Sequence, residues 1–302
     1  MATDFKEYLQ SEFVEDYEEG LLTRAQALKL LAGVTGSVAA AGILLTECAL
    51  PASAPTTRAS IGSGEAPSAG AGAAIIAADL EFPGEGATLT AYHARPSTED
   101  RRPAVLVCHE NRGLNEHIKD VTRRLASVGY VALAVDLLSR IGGTSSVGDP
   151  AEVPGILANT PPEQFVSDFV SAWRWLQAQD YVLTESVGMV GFCFGGGVTW
   201  RVAIGLPDVR AAVPFYGPLP DPSEVGAIQA AVLAIYAGND QRINQSIPPI
   251  EEAMQAAGKT FEKIIYPGVD HAFHNDTGSR YAPEAATDAW AHTLDWLNRY
   301  LG

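Results

Sequence analysis

The sequence predicts an α/β fold, a mostly parallel central sheet with helices on both faces. Three observations carry that expectation. Short continuous apolar runs, such as Ala104-Val105-Leu106-Val107-Cys108, have the character of strands buried on both faces. Segments with apolar residues at helical spacing alternate with them. Gly- and Pro-rich stretches punctuate the two kinds. Such alternation implies parallel strands joined by right-handed crossovers. The length of 302 residues suits one large domain plus an extra segment, and 47% apolar residues suffice for its core.

Residues 1–20 are acidic, with Asp4, Glu7, Glu12, Glu15, Asp16, Glu18 and Glu19 against Lys6 alone. Phe5, Tyr8, Leu9 and Phe13 recur at helical spacing, which predicts a short amphipathic helix. A small-residue apolar stretch then runs to Leu45, preceded by Leu22-Thr23-Arg24. It resembles a twin-arginine export signal with one of the two arginines missing. Residues 22–54 acting as such a signal would send the protein across the bacterial inner membrane; otherwise it is cytoplasmic. Ala52-Ser53-Ala54 is the candidate cleavage site, and Glu47-Cys48 fits a lipoprotein box poorly. The alternative is an uncleaved helix packed on the domain. Residues 51–73 are rich in Pro, Ala, Ser, Thr and Gly and read as a flexible linker. The organisation is thus an N-terminal segment over 1–50, the linker, and a catalytic domain over 74–302.

In that domain, residues 74–82 and 88–94 predict a β-hairpin turned through Pro83-Gly84-Glu85-Gly86. Residues 104–108 form the next strand. Ile118, Val121, Leu125 and Val128 mark a helix over 115–128, ended by Gly129. A strand over 130–135 and a Gly/Pro-rich loop over 139–162 follow. Residues 162–179 predict a helix with Phe165, Phe169, Trp173 and Leu176 on one face; Trp173 and Trp175 read as packing residues. Strands over 211–216, 231–236 and 261–266, a helix over 247–257 and a final helix over 282–300 complete the pattern.

Residues 187–197 organise the chain. An apolar strand turns sharply through Gly191-Phe192-Cys193-Phe194-Gly195-Gly196 into a helix, the pattern of a nucleophile elbow with Cys in place of Ser. The flanking glycines suit a corner where chains cross too closely for side chains. The helix N-terminus would favour a thiolate. Alone, the motif equally fits a buried structural cysteine. A base and an orienting carboxylate must accompany a nucleophile. On this architecture their chain order is nucleophile, acid, His. Asp240, in Gly238-Asn239-Asp240, and His271, in Asp270-His271-Ala272-Phe273-His274, meet it at successive strand ends. Asp240 alone could be ordinary turn chemistry. Asp270 is a rival orienter and His274 a rival base. The loop His109-Glu110-Asn111-Arg112-Gly113 places the N–H of Asn111 as an oxyanion donor, with that of Phe194. A carboxylate at Glu110 would disfavour thiolate.

These motifs, His109 to Asn115, Gly191 to Gly196, Gly238-Asn239-Asp240 and His271-Ala272-Phe273, resemble those of the dienelactone hydrolase family, the carboxymethylenebutenolidases. The resemblance covers residues 74 to the end. It implies an α/β-hydrolase with a Cys193–Asp240–His271 triad, acting on small esters or lactones without a cofactor or metal. It implies that Glu110 holds the resting thiol neutral and accepts its proton when substrate displaces it. Arg112, Tyr216 and Phe273 are expected to line the substrate pocket. Family members that cleave dienelactone hold its carboxylate with arginines, one shortly after the catalytic His. Here that position reads His274-Asn275-Asp276, with Arg280 further on, and no arginine in the loop over 139–162 matches the other.

A formal charge of −16 and the lack of any basic run argue against nucleic-acid or strong membrane partners. Cys48, Cys108 and Cys193 lie too far apart in sequence for a zinc motif or a disulfide framework. A monomer or small homo-oligomer is expected. The alternative to an enzyme is a non-catalytic ligand-binding module on a hydrolase scaffold.

Overall fold

The central strands set the frame. In the computed structural model, which describes residues 4–46 and 74–302, eight strands form one sheet. They are β1 (Ile75–Gly84), β2 (Ala87–Pro96), β3 (Arg102–Cys108), β4 (Val131–Val135), β5 (Val182–Phe192), β6 (Val209–Phe215), β7 (Ala231–Ala237) and β8 (Phe261–Tyr266). Their order is β1-β2-β4-β3-β5-β6-β7-β8. From β4 to β8 all neighbours are parallel, while β1–β2 and β2–β4 are antiparallel. All of β4 and β7 is buried, as is residue 104 onward of β3, which is why these segments read as unbroken apolar runs. The hairpin is tighter than its sequence suggested. Both strands extend into the predicted turn, leaving Glu85-Gly86, with Gly86 at a φ of 70°.

Ten α-helices occur among the described residues: α1 (Phe5–Glu18), α2 (Arg24–Thr35), α3 (Val38–Leu44), α4 (Glu116–Ser127), α5 (Val153–Ala158), α6 (Pro162–Gln177), α7 (Phe194–Gly205), α8 (Gln241–Asn244), α9 (Ile247–Ala256) and α10 (Pro283–Leu301). Asn115 caps α4 through its side chain, accepting from the Ile118 N–H. The pleat of β5 assigns two helices to opposite faces. A Cβ at Gly188 would meet Leu297 and Leu301 of α10, whereas one at Gly191 would meet Gly195 and Thr199 of α7. Trp173 is buried and donates from its indole N–H to Asp208 at 2.8 Å, a packing role.

The loop over 139–162 contains a helix that the sequence reading passed over. Val153-Pro154-Gly155 looks like a breaker, but Pro is tolerated in a first helical turn. Gly155 serves close approach, because a Cβ there would strike the backbone of Gly33 in α2. Lys29 of α2 also pairs with Asp149. α2 begins with a capping box at Thr23 and Gln26 and buries Ala27, Leu30, Leu31 and Val34. The segment read as a degenerate signal thus contributes two helices, α2 and α3, and α2 packs on α5. Among the described residues no helix is long and apolar enough to cross a membrane. Cys48, the cleavage candidate 52–54 and the linker 51–73 lie outside the described residues.

Candidate active site

The parallel strands all end at the same edge of the sheet, so the loops after β3, β5, β6, β7 and β8 converge there, where ligands bind in such sheets. At the end of β5 the chain turns directly into α7. Cys193 stands at the corner with φ 56° and ψ −121°, a left-sided conformation that a non-glycine residue adopts only under constraint. A Cβ at Gly195 would collide with the carbonyls of Cys108 and His109, so the elbow can form only with glycine there. The Cys193 N–H donates to the Phe215 carbonyl at 3.1 Å, and that of Gly196 to the Cys193 carbonyl at 2.9 Å. Tyr216 and Ala272, the other non-glycine residues with positive φ among those described, border the same edge.

Asp240 follows β7 and caps the short α8. Its Oδ1 accepts from the Ile243 N–H at 3.2 Å and its Oδ2 from His271 Nδ1 at 2.6 Å. Turn chemistry and an orienting role are therefore compatible, one oxygen for each. The loops after β7 and β8 are laced together: the Asn239 N–H donates to the Val269 carbonyl, and Asn239 Nδ2 to Asp270 Oδ1 at 2.7 Å. Asp270 is thus paired with Asn239, and Asp240 rather than Asp270 meets the His271 ring. His274, the rival base, is buried, stacks on Phe192 at 5.0 Å, and is pushed down to about 3 by burial and the cations nearby. Burial and those cations disfavour its protonation, which argues against it as the base.

Cys193 and His271 are brought together: Sγ, an imidazole nitrogen and a carboxylate oxygen of Glu12 all lie within 4.8 Å of one another. Among the described residues these three also form a group whose donor atoms could hold a metal ion. Burial pushes the Cys193 thiol up, and Glu12 pushes it further, against the pull of His271. Burial is the largest influence and works against a charge on His271, but the hydrogen bonds and charges of Asp240 and Cys193 together outweigh it and hold the imidazole well above its usual value. Burial pushes the Asp240 carboxyl up, but His271, with Arg242 and the Ile243 N–H, outweighs it and holds that carboxyl low.

The β3 loop is braced from within. His109 is fully buried, and the Leu137 N–H donates to its Nε2 at 3.2 Å. Nε2 is therefore unprotonated and Nδ1 donates to the Glu110 carbonyl at 2.7 Å. Glu110 is buried, and its Oε2 accepts from Asn275 Nδ2 at 2.6 Å. Burial raises its pKa. The carboxylate touching the thiol is a different one, that of Glu12, whose oxygens are 3.6 and 3.7 Å from Sγ. Glu12 also accepts from Asn111 Nδ2 at 2.8 Å. Tyr8 places its hydroxyl 3.3 Å from Sγ and 3.5 Å from His271 Nε2. Of the expected pocket residues, Arg112 is exposed, Tyr216 packs edge-on against His271 at 5.0 Å, and Phe273 is buried against Tyr216 and Tyr266.

Sequence reasoning missed Tyr8 and Glu12. One signal was available: both fall on the apolar stripe of Phe5, Leu9 and Phe13, and a Glu on a buried stripe needs a partner.

A match to the dienelactone hydrolase family spans residues 89–301. The chain belongs to that family. It is 37% identical over 238 residues to a Methylorubrum extorquens protein named "Putative carboxymethylenebutenolidase", covering 75% of this chain and 82% of that one. An Escherichia coli K12 protein of the same name is 34% identical over 244 residues, 76% of this chain and 89% of the other. A crystal structure titled as a "Putative Dienelactone Hydrolase" from Klebsiella pneumoniae superposes with a TM-score of 0.70 at 33% identity, covering 75% of this chain and 100% of its own. The fold is the α/β-hydrolase fold of this family, and the protein is a hydrolase. The family match begins after α3, so α1, α2 and α3 lie outside it.

Proposed function

We propose that the protein hydrolyses small esters or lactones through a Cys193–His271–Asp240 triad. The observation that carries the reading is the relay itself: a strained elbow thiol facing an imidazole whose far nitrogen is held 2.6 Å from a buried carboxylate. His271 takes the thiol proton, and Sγ attacks the carbonyl carbon. The oxyanion forms between the N–H groups of Asn111 and Phe194; such a donor typically contributes about 2.7–4 kcal/mol to the barrier. Protonated His271 gives its proton to the leaving alkoxide, which leaves a thioester. The same imidazole then activates water, and a second tetrahedral species collapses to acid and free thiol. Asp240 orients the ring and stabilises the imidazolium at both steps. Relatives named as carboxymethylenebutenolidases support lactones within the substrate range.

Glu110 can assist as a nearby carboxylate whose charge raises the thiol pKa, though Glu12 does so more strongly. The test is turnover of p-nitrophenyl acetate and of a panel of lactones. The reading requires turnover lost in Cys193→Ala; activity that survives in this variant at the wild-type rate rules it out. A binding module without catalysis would turn over none of the panel in the wild type.

A further inference from the structure

α1 occupies the place a substrate must take. A carbonyl carbon about to be attacked stands about 3–3.5 Å from its nucleophile. Around Sγ that shell holds the Tyr8 hydroxyl at 3.3 Å and, just outside it, both oxygens of Glu12. Tyr8 also stands before His271 Nε2, where the leaving group must be protonated. With α1 in place Cys193 is 3% exposed and His271 5%. Neither Tyr8 nor Glu12 can therefore assist a substrate from its present position, because the substrate would displace both.

The helix is built to sit there. Phe5 packs on Phe194 and Phe165 with ring centroids 4.7 and 5.9 Å apart, beside the α7 N-terminus. Leu9 and Phe13 are fully buried. Two arginines of the catalytic domain grip its acidic side. Arg242 lies over the Tyr8 ring at 4.7 Å and donates to Glu15 at 3.0 Å. Arg280 donates to Asp16 at 2.6 Å and to Glu19 at 2.8 Å. A short turn containing Gly20, at a φ of 75°, joins α1 to α2, which packs both on α1 and on α5. α1 also lies outside the stretch that matches the family.

We propose that α1 is an intrasteric plug: a hinged helix that shuts the active site with Tyr8 and Glu12 and is latched by Arg242 and Arg280. The active form is the one in which α1 has swung out about the 19–23 turn. This rests on the hydrolase reading for its consequence, though not for its detection.

The test loosens the latch away from the catalytic groups in the full-length chain. Asp16→Ala/Glu19→Ala and, from the other side, Arg280→Ala are compared with wild type for iodoacetamide alkylation of Cys193 and for p-nitrophenyl acetate turnover. Circular dichroism checks that each variant is folded. Alkylation and turnover should rise together, by roughly five-fold for loss of two partly exposed pairs. Raising NaCl should accelerate alkylation of wild type and much less that of the variants. Unchanged or slower alkylation in both variants overturns the plug. Faster alkylation with reduced turnover also overturns it, because α1 would then be part of the catalytic machinery. Faster alkylation with no turnover in any form keeps the plug and sinks the hydrolase reading instead.

Discussion

Asp240→Asn is the sharpest probe of the proposed relay. The substitution keeps shape and removes one charge. Both side chains are buried, at 1% for Asp240 and 5% for His271, so little solvent screens the loss. A hydrogen bond to a charged group contributes about 1.5–3 kcal/mol, against about 1 kcal/mol for a neutral one. The difference of roughly 1–2 kcal/mol lowers the basicity of His271 by about one pKa unit and the rate by about ten-fold. An amide can also present its NH₂ to Nδ1 and select the wrong tautomer, which in a triad brings the loss to as much as about 10⁴-fold. We therefore expect kcat for p-nitrophenyl acetate to fall about 10²–10⁴-fold, with KM nearly unchanged. Folding has its own signature. The low pKa of folded Asp240 contributes stability above the usual carboxylate range that is lost as pH falls through the depressed value. The variant should thus be less stable than wild type at neutral pH and approach it in acid. A kcat within three-fold of wild type would refute the assignment of Asp240 as orienter.

Three further outcomes are expected. Iodoacetamide should label Cys193 with loss of activity while Cys108, fully buried in β3 with its thiol pushed well up by burial, stays unmodified by mass spectrometry; labelling of Cys108 first would reverse the assignment. Glu12→Gln should shift the alkylation profile of Cys193 to lower pH, and Glu110→Gln should do so less, because the Glu12 charge acts more strongly on the thiol; equal shifts, or none, would contradict this. His274→Phe should flatten the acid limb of stability: buried neutral His274, with a pKa near 3, contributes stability that is present above about 6.5 and lost on the way down to about 3, and a melt series from pH 7 to 4 with unchanged slope would contradict this.

Much of the site was legible because its parts lie at strand ends, and strand ends are marked in sequence. The apolar runs that became β3, β5, β7 and β8 terminate where Glu110, Cys193, Asp240 and His271 stand. Chain order and spacing alone did not separate His271 from His274, or Asp240 from Asp270; the resemblance to the family made that choice. Three residues of loop decide which imidazole meets the carboxylate and which stacks on Phe192, and that depends on Asn239 bonding across to the β8 loop. The helix α5 escaped because Pro154 and Gly155 are breakers by propensity, while here one sits in a first turn and the other meets Gly33.

The case of α1 shows the limit of periodicity as evidence. Phe5, Tyr8, Leu9 and Phe13 announce that one face of a helix is buried; they do not say what lies beneath it. A core would have asked for an apolar residue at position 12. The sequence has Glu, and a buried carboxylate persists only where partners offset its desolvation. The Asn111 amide and the Cys193 thiol both reach it, and both belong to the catalytic edge of the sheet. An apolar stripe interrupted by one carboxylate is thus more informative than an unbroken one. It requires a polar floor, and here that floor includes the Asn111 amide and the Cys193 thiol.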